Sequence, residues 1–162
     1  MNKYANKVKH YFKGKMTAHT PVISFSKTNN NARLPQQAHT TDTGYDVYSI
    51  ADTVIPAKGS AVVPIGLKFT HIEPGYWVRI ATRSGHGFKR SLMVFPGVID
   101  EGYRGDASVK VFNLSDTDQL IPSGERFAQF IVHKRYNVTM EWSDEVTETS
   151  RGEGGFNSTG LT

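Results

Sequence analysis

Turn-forming residues interrupt this chain at intervals of about ten residues, and that spacing excludes most architectures before any other feature is weighed. The breaks are Asn29–Asn31, Pro56–Gly59, Glu73–Gly75, Gly102–Gly105 and Pro122–Gly124. Between them lie short runs rich in β-branched and aromatic residues: Val22–Phe25, Tyr45–Ile50, Ala61–Pro64, Leu67–His71, Tyr76–Ala81, Leu92–Phe95, Ala107–Asn113, Phe127–His133 and Val138–Trp142. Such residues suit a pleated, half-buried surface, so each run is expected to be a strand. No segment of twelve or more residues carries the apolar period of a helix, and only Gly85–Arg90 is expected to make a helical turn. The expected fold is all-β, a jelly-roll-like barrel or sandwich with at most one short helix.

With 162 residues the chain fits one domain that can bury its own core. It has no cysteine, which excludes disulfides and thiolate metal ligands. No apolar run approaches the roughly 18 residues of a membrane-spanning helix, and no signal-peptide core stands near the start. A soluble protein of the cytoplasm, or of a host's cytoplasm if the source is viral, is the expectation.

The net charge of +4 invites a nucleic-acid reading, so its location matters. Residues 1–20 hold Lys3, Lys7, Lys9, Lys13 and Lys15 with no acid, which leaves 14 basic and 15 acidic residues elsewhere. The excess therefore sits in an extension, expected to be flexible and to bind polyanions weakly and without specificity. Residues 21–149 are the expected β domain. Residues 150–162 differ again: four glycines accompany Arg151, Phe156, Ser158 and Thr159, a phosphate-and-base binding set on a flexible strap.

Five segments carry chemistry. Thr43–Gly44–Tyr45–Asp46 places a carboxylate at the opening of a strand. Arg79 to Gly85 runs from a strand into a tight turn, where Arg83 can fork onto phosphate oxygens while Ser84 and the Gly85 amide add donors. Gly97–Val98–Ile99–Asp100–Glu101–Gly102–Tyr103–Arg104–Gly105 looks like a β-hairpin that clamps a flat base, with Tyr103 as platform and Asp100 at the floor. An acid there can take a proton from water and aim it at phosphorus. Gly124 to Gln129 is a turn entering a strand, with Gln129 able to donate to phosphate. The strap is the fifth.

Taken together these segments resemble the trimeric dUTP pyrophosphatases. The matching residues are Gly44–Tyr45–Asp46, Arg83–Ser84–Gly85, Gly97 to Asp100 with Tyr103–Arg104–Gly105, Gly124–Glu125–Arg126 with Ala128–Gln129, and Arg151 to Phe156 with Ser158–Thr159–Gly160. The resemblance spans about residues 22–160. Departures are Thr82 in place of a usual proline, expected to loosen the turn presenting Arg83, His86–Gly87–Phe88 in place of a Leu-Ala run, the bulky Phe95–Pro96, and Asn157 in place of a glycine.

The resemblance implies Mg²⁺-dependent hydrolysis of dUTP to dUMP and pyrophosphate, which limits uracil incorporation into DNA and supplies dUMP for thymidylate synthesis. It implies a homotrimer whose sites each draw on three chains. Asp100 would be the catalytic base. Gly97, Val98, Ile99, Asp100 and Ser108 would read the uracil edge, Tyr103 would stack on the deoxyribose and Phe156 would cap the base. Arg83, Ser84, Gly85, Gln129, Arg151, Ser158 and Thr159 would bind phosphates, and Asp46 would anchor Mg²⁺ indirectly, through water. Two rivals share the scaffold: a dCTP deaminase, possibly bifunctional, with Glu101 as its extra carboxylate, and a dUTP-sensing regulatory protein using residues 1–20 as its contact.

Overall fold

A computed structural model describes residues 19–154 of the chain. Ten strands and one helix follow in order. They are β1 (Ile23–Lys27), β2 (Gly44–Tyr48), β3 (Thr53–Ile55), β4 (Ser60–Ile72), β5 (Tyr76–Thr82), α1 (Ser84–Arg90), β6 (Leu92–Val94), β7 (Val98–Ile99), β8 (Asp106–Asn113), β9 (Gln119–Ile121) and β10 (Arg126–Lys134). One sheet has the order β1-β4-β8-β6, a second β2-β10-β5-β7, and β3 pairs with β9 alone. Every named pairing is antiparallel. The all-β class is as the turn spacing predicts, and among the described residues there is one short helix, also as expected.

Alternation along the strands turns one face of each sheet inward. Phe25 and Phe69 from the first sheet meet Phe130 from the second, with ring centroids 4.7, 5.7 and 6.3 Å apart. Around them pack Ile55, Val63, Ile72, Val109, Ile121 and Phe127, all buried. Truncating a buried ring such as Phe69 to alanine would cost about 3–5 kcal/mol. This rigid sandwich is what the site loops hang from.

Four local expectations change. Ala61–Pro64 and Leu67–His71 are one bent strand, β4, whose register against β8 shifts between Pro64 and Leu67. Gly66 makes the bend: its φ is +66°, and a Cβ there would sit 3.0–3.1 Å from the Cβ atoms of Asn29 and Ala32. The bend reads in sequence as a strand end because Pro64 and Gly66 both look like breakers. The strands β3 and β9, three residues each, are too short to be picked out. Val138–Trp142 has strand composition, yet it joins no sheet of the described chain.

The fourth change concerns the site. Gly97–Gly105 is not a hairpin, because β7 pairs with β5 in the second sheet while β8 pairs with β4 and β6 in the first. The segment is a corner where the chain crosses between sheets. A tight turn, with the Tyr103 N–H donating to the Asp100 carbonyl at 2.9 Å, makes the crossing.

Candidate active site

The second sheet brings together the residues expected to bind phosphate. Strand β10 lies between β2 and β5, and its register sets Gln129 opposite Asp46 on one side and Ala81 on the other. A cleft opens there, lined by Gly44, Asp46, Thr82, Arg83, Ser84, Gly85, and Gln129 among others. The glycine at position 44 lets the Gln129 amide lie where it does, since a Cβ would fall 2.0 Å from the Gln129 Oε1 and displace it. Gln129 donates to the Thr82 carbonyl at 3.0 Å and so braces the turn that carries Arg83.

Asp46 is 7% exposed, and its neighbours are cationic. Arg83 Nε donates to Oδ1 at 2.7 Å and Nη2 to Oδ2 at 3.3 Å, while Arg126 Nη1 reaches Oδ2 at 3.2 Å. Arg83 Nη1 donates to the Arg126 carbonyl at 2.7 Å. A guanidinium has five N–H groups, and three are used, so two remain for an incoming anion. A forked arginine held on a buried carboxylate keeps its orientation when a phosphate arrives, and little rotamer freedom is left to lose. The main visible task of Asp46 is therefore to aim Arg83. Arg126 is a site residue that the sequence reading quoted in a motif without assigning a role.

Helix α1 starts directly after Arg83. Arg83 is its N-cap in extended conformation with no side-chain cap bond, and the His86 and Gly87 amides donate to its carbonyl. The first-turn amides of a helix lack partners within it, so those of Ser84 and Gly85 face outward as donors. A Cβ on Gly85 would meet nothing within 4 Å, so the approach is open. Thr82 does not loosen this turn: its hydroxyl accepts the Val94 N–H at 3.0 Å and ties the end of β5 to β6.

A separate pocket lies at the corner, lined by Ile80, Gly97, Val98, Ile99, Asp100, Tyr103, Asp106, Ala107 and Ser108. Gly97 approaches β5 so closely that a Cβ would stand 3.0 Å from Ile80 Cδ1, and its carbonyl accepts the Ile80 N–H at 3.0 Å. The Tyr103 ring is fixed at both ends. Its hydroxyl donates to the Asp106 carbonyl at 2.8 Å, and its edge meets Phe69 with centroids 6.1 Å apart. Gly105 makes room for it, because a Cβ there would be 2.3 Å from the Tyr103 oxygen. Asp100 is exposed on the turn, its carboxylate free of any described ion pair.

Within one chain the two pockets are separate, and Asp100 stands far from Arg83. The antiparallel register sets Val98 opposite Arg79 and Ile99 opposite Val78, so Asp100 falls beside Trp77. Trp77 and Arg83 are six residues apart at opposite ends of β5, a separation of about 20 Å at the rise of a strand. The pockets share no lining residue.

Of the strap, Arg151 is described, exposed, with its Nε donating to the Gly154 carbonyl at 2.8 Å. Phe156, Ser158 and Thr159, like residues 1–18, lie outside the described residues. Glu101 faces away from the corner pocket: it accepts the Gly75 N–H at 2.8 Å and pairs with Arg135 at 3.2 Å. That structural duty removes the one carboxylate that a deaminase reading relied on. Among the described residues no cluster of three or more His, Cys, Asp or Glu could hold a metal ion. A cation here would have to arrive with phosphate oxygens as its main ligands. Of the four lone-pair sites on the Asp46 carboxylate, arginine donors occupy three, so one is left for a water.

The domain is all-β, with guanidinium and backbone N–H donors lining one cleft and backbone polar groups beside Tyr103 lining a second. Comparison with known proteins gives the family. The dUTPase family profile matches residues 30–160, and the chain belongs to that family. A deoxyuridine 5'-triphosphate nucleotidohydrolase of Solanum lycopersicum is 43% identical over 141 residues, covering 87% of this chain and 83% of that protein. Among solved structures, the Staphylococcus bacteriophage 80alpha dUTPase with dUPNHPP superposes with a TM-score of 0.79 at 25% identity, over 88% of this chain and all of that one. A dUTPase variant from phage phi11 of S. aureus, described as coordinating a structural Mg(II) ion, has a TM-score of 0.68 at 25% identity, over 76% and 97% of the two chains. No described helix is long and apolar enough to cross a membrane.

Proposed function

We propose that this protein hydrolyses dUTP to dUMP and pyrophosphate at sites shared between the copies of a homotrimer. The observation that carries the reading is the split of the site along β5. The pocket runs along β5 from Ile80, opposite Gly97, to Trp77, beside Asp100, so its own Arg83 stands about 10 Å along the strand from the Gly97 end but about 20 Å from Asp100, the group that acts on the α-phosphorus. The Arg83 of a neighbouring copy completes the site. The surface supports assembly as well: Tyr136, Val138, Met140 and Trp142 are all exposed within seven residues that follow β10. Such a run is a natural docking face for a second copy.

In this reading the backbone of Gly97–Asp100 and Ser108 pairs with the uracil edge. Cytosine presents the reversed donor pattern and leaves buried groups unpaired, at about 1–3 kcal/mol for each. Tyr103, locked by Asp106 and Phe69, lies flat against the deoxyribose and leaves no room for a 2′-hydroxyl. Arg83, Ser84, Gly85 and Gln129 of the neighbour hold the phosphates, and Arg151, Ser158, Thr159 and Phe156 close the strap over them. Asp100 aligns a water and takes its proton as the oxygen attacks the α-phosphorus, with pyrophosphate leaving. Asp46 would hold Mg²⁺ indirectly, through water, and the cation would supply charge neutralisation to the triphosphate. The cytoplasm is the proposed place of action.

Release of pyrophosphate from dUTP, dCTP, dTTP and UTP tests the reading directly. The expected result is turnover of dUTP with kcat/KM at least about tenfold above each of the others, the size of one unpaired buried group. Equal turnover of dCTP would contradict the uracil-edge assignment.

A further inference from the structure

Helix α1 carries the phosphate donors, yet its only buried residue is a histidine. His86 is 7% exposed, and its Nε2 stands 2.6 Å from Glu125 Oε1 in the turn before β10. At that distance from a carboxylate oxygen Nε2 must carry the proton, since two lone pairs would repel. Arg90, one turn on, grips the same oxygen through Nη1 at 2.7 Å, donates Nε to Gln119 Oε1 at 3.2 Å, and donates Nη2 to the Leu120 carbonyl. The helix is thus fastened to β9 and β10 by a polar lock of His86, Arg90 and Glu125. The far side of that lock is the site itself. Glu125 precedes Arg126, which pairs with Asp46, which aims Arg83.

We propose that His86 is a positioning residue for the phosphate-binding loop: its bond to Glu125 fixes α1, and so Arg83 and Ser84, against the base of β10. This rests on the function proposed above and adds a residue to it. The lock also has a pH limit. Burial lowers the His86 pKa below the ordinary histidine value, against an opposing contribution from the bonded Glu125, and with Arg90 and Arg83 lowering it further. These are the charged groups that face the ring: Glu125 from the turn before β10, Arg90 from α1 itself, and Arg83 from its cap. Strand β6, which also packs on α1, brings only Leu92, Met93 and Val94. A lowered pKa means the unfolded chain takes up the proton first. The stability due to the neutral ring is therefore complete above the ordinary histidine value and is lost as the pH falls below it. Protonation in the folded protein strengthens the Nε2–H bond to Glu125 but leaves a buried charge with a second cation, Arg90, 3.5 Å away, and that net cost loosens the packing of α1 around the ring.

The test uses the full-length protein, His86→Gln and His86→Leu, with KM and kcat for dUTP followed from pH 8 to pH 5. Dissociation constants of a non-hydrolysable dUTP analogue are measured in parallel. Gln keeps a donor for Glu125 and cannot titrate. It is expected to match the parent at pH 8 and to lack the parent's extra rise in KM toward acid pH. Leu fills the space without a donor and is expected to raise KM about three- to tenfold at pH 8, with kcat changed less, because ground-state positioning is what it removes. Should Leu unfold the protein, the Gln pH profile alone decides. The proposal is overturned if His86→Gln keeps the full acid rise in KM, or if a folded His86→Leu matches the parent at every pH. A parent that binds the analogue without turning over dUTP would sink the proposed activity while the binding series still judged His86, and a parent that binds no analogue would overturn both.

Discussion

Asp100→Asn is expected to fold, to assemble and to bind a non-hydrolysable dUTP analogue as the parent does, while turnover falls by roughly 10²–10⁴, the usual span for a lost general base. Three observations set this outcome. Asp100 is exposed on a turn and packs into no core, so the amide costs little stability. The turn is held by a backbone bond from Tyr103 to the Asp100 carbonyl, which the substitution leaves alone. The amide also matches the carboxylate in size and keeps one acceptor, so the water can still be placed but its proton has nowhere to go. Single-turnover measurement on the Mg²⁺-loaded nucleotide separates this chemical loss from a loss of binding. Near-parental turnover would assign the base elsewhere; a parallel collapse of analogue binding would make Asp100 a binding residue instead.

Removing residues 150–162 is expected to cut dUTP turnover as steeply, while leaving assembly and thermal stability close to those of the full chain. The segment's described residues, 150–154, contribute nothing to the buried core. Its composition, four glycines around Arg151, Phe156, Ser158 and Thr159, is costly to order at roughly 1–2 kcal/mol per backbone residue, and only bound nucleotide offers contacts to offset that. On the proposed function, loss of the strap would remove phosphate donors together with the group that shuts water out of the site. Comparison of dUTP with dUDP sharpens the result. If the strap reads the γ-phosphate, the deletion should harm dUTP far more, and Phe156→Ala should fall between the parent and the deletion. Full dUTP activity in the truncated chain, or its unfolding, would remove the strap from the account.

The fold class was legible because turn residues and β-branched runs act locally, and local chemistry is what a sequence displays. Elements failed where tertiary context decided. Pro64 and Gly66 look like a strand end, but the packing of Gly66 against Asn29 and Ala32 turns them into a bend within β4. Gly97–Gly105 has hairpin composition, yet which sheet each arm joins depends on β5 and β4, far away in sequence. Val138–Trp142 alternates as a strand does, but a ladder also needs an edge to pair with.

The site shows the same division. Arg83, Ser84, Gln129, Asp100 and Tyr103 could be named from residue type and neighbouring glycines, and the structure gathers them into two clusters. What spacing could not show was the pairing across the fold. Asp46 and Arg83 lie 37 residues apart, and Asp46 and Arg126 lie 80 apart. Only the neighbouring positions of β2, β10 and β5 reveal that Asp46 aims an arginine. His86 read as a departure from an apolar position, and its partner Glu125 sits 39 residues away.

The account stands on the claim that no single chain holds a whole site, and mixing two inactive variants tests it most directly. Asp100→Asn supplies a sound anion-binding loop with a dead corner; Arg83→Ala supplies a sound corner with a dead loop. Each should be nearly inactive alone. Refolded together in equal amounts, trimers that assort at random should recover about one quarter of the parental dUTP turnover, since each site then draws its corner and its loop from different chains. If corner and loop served the same site within one chain, every site in the mixture would carry one lesion or the other, and activity would stay at the level of the separate variants.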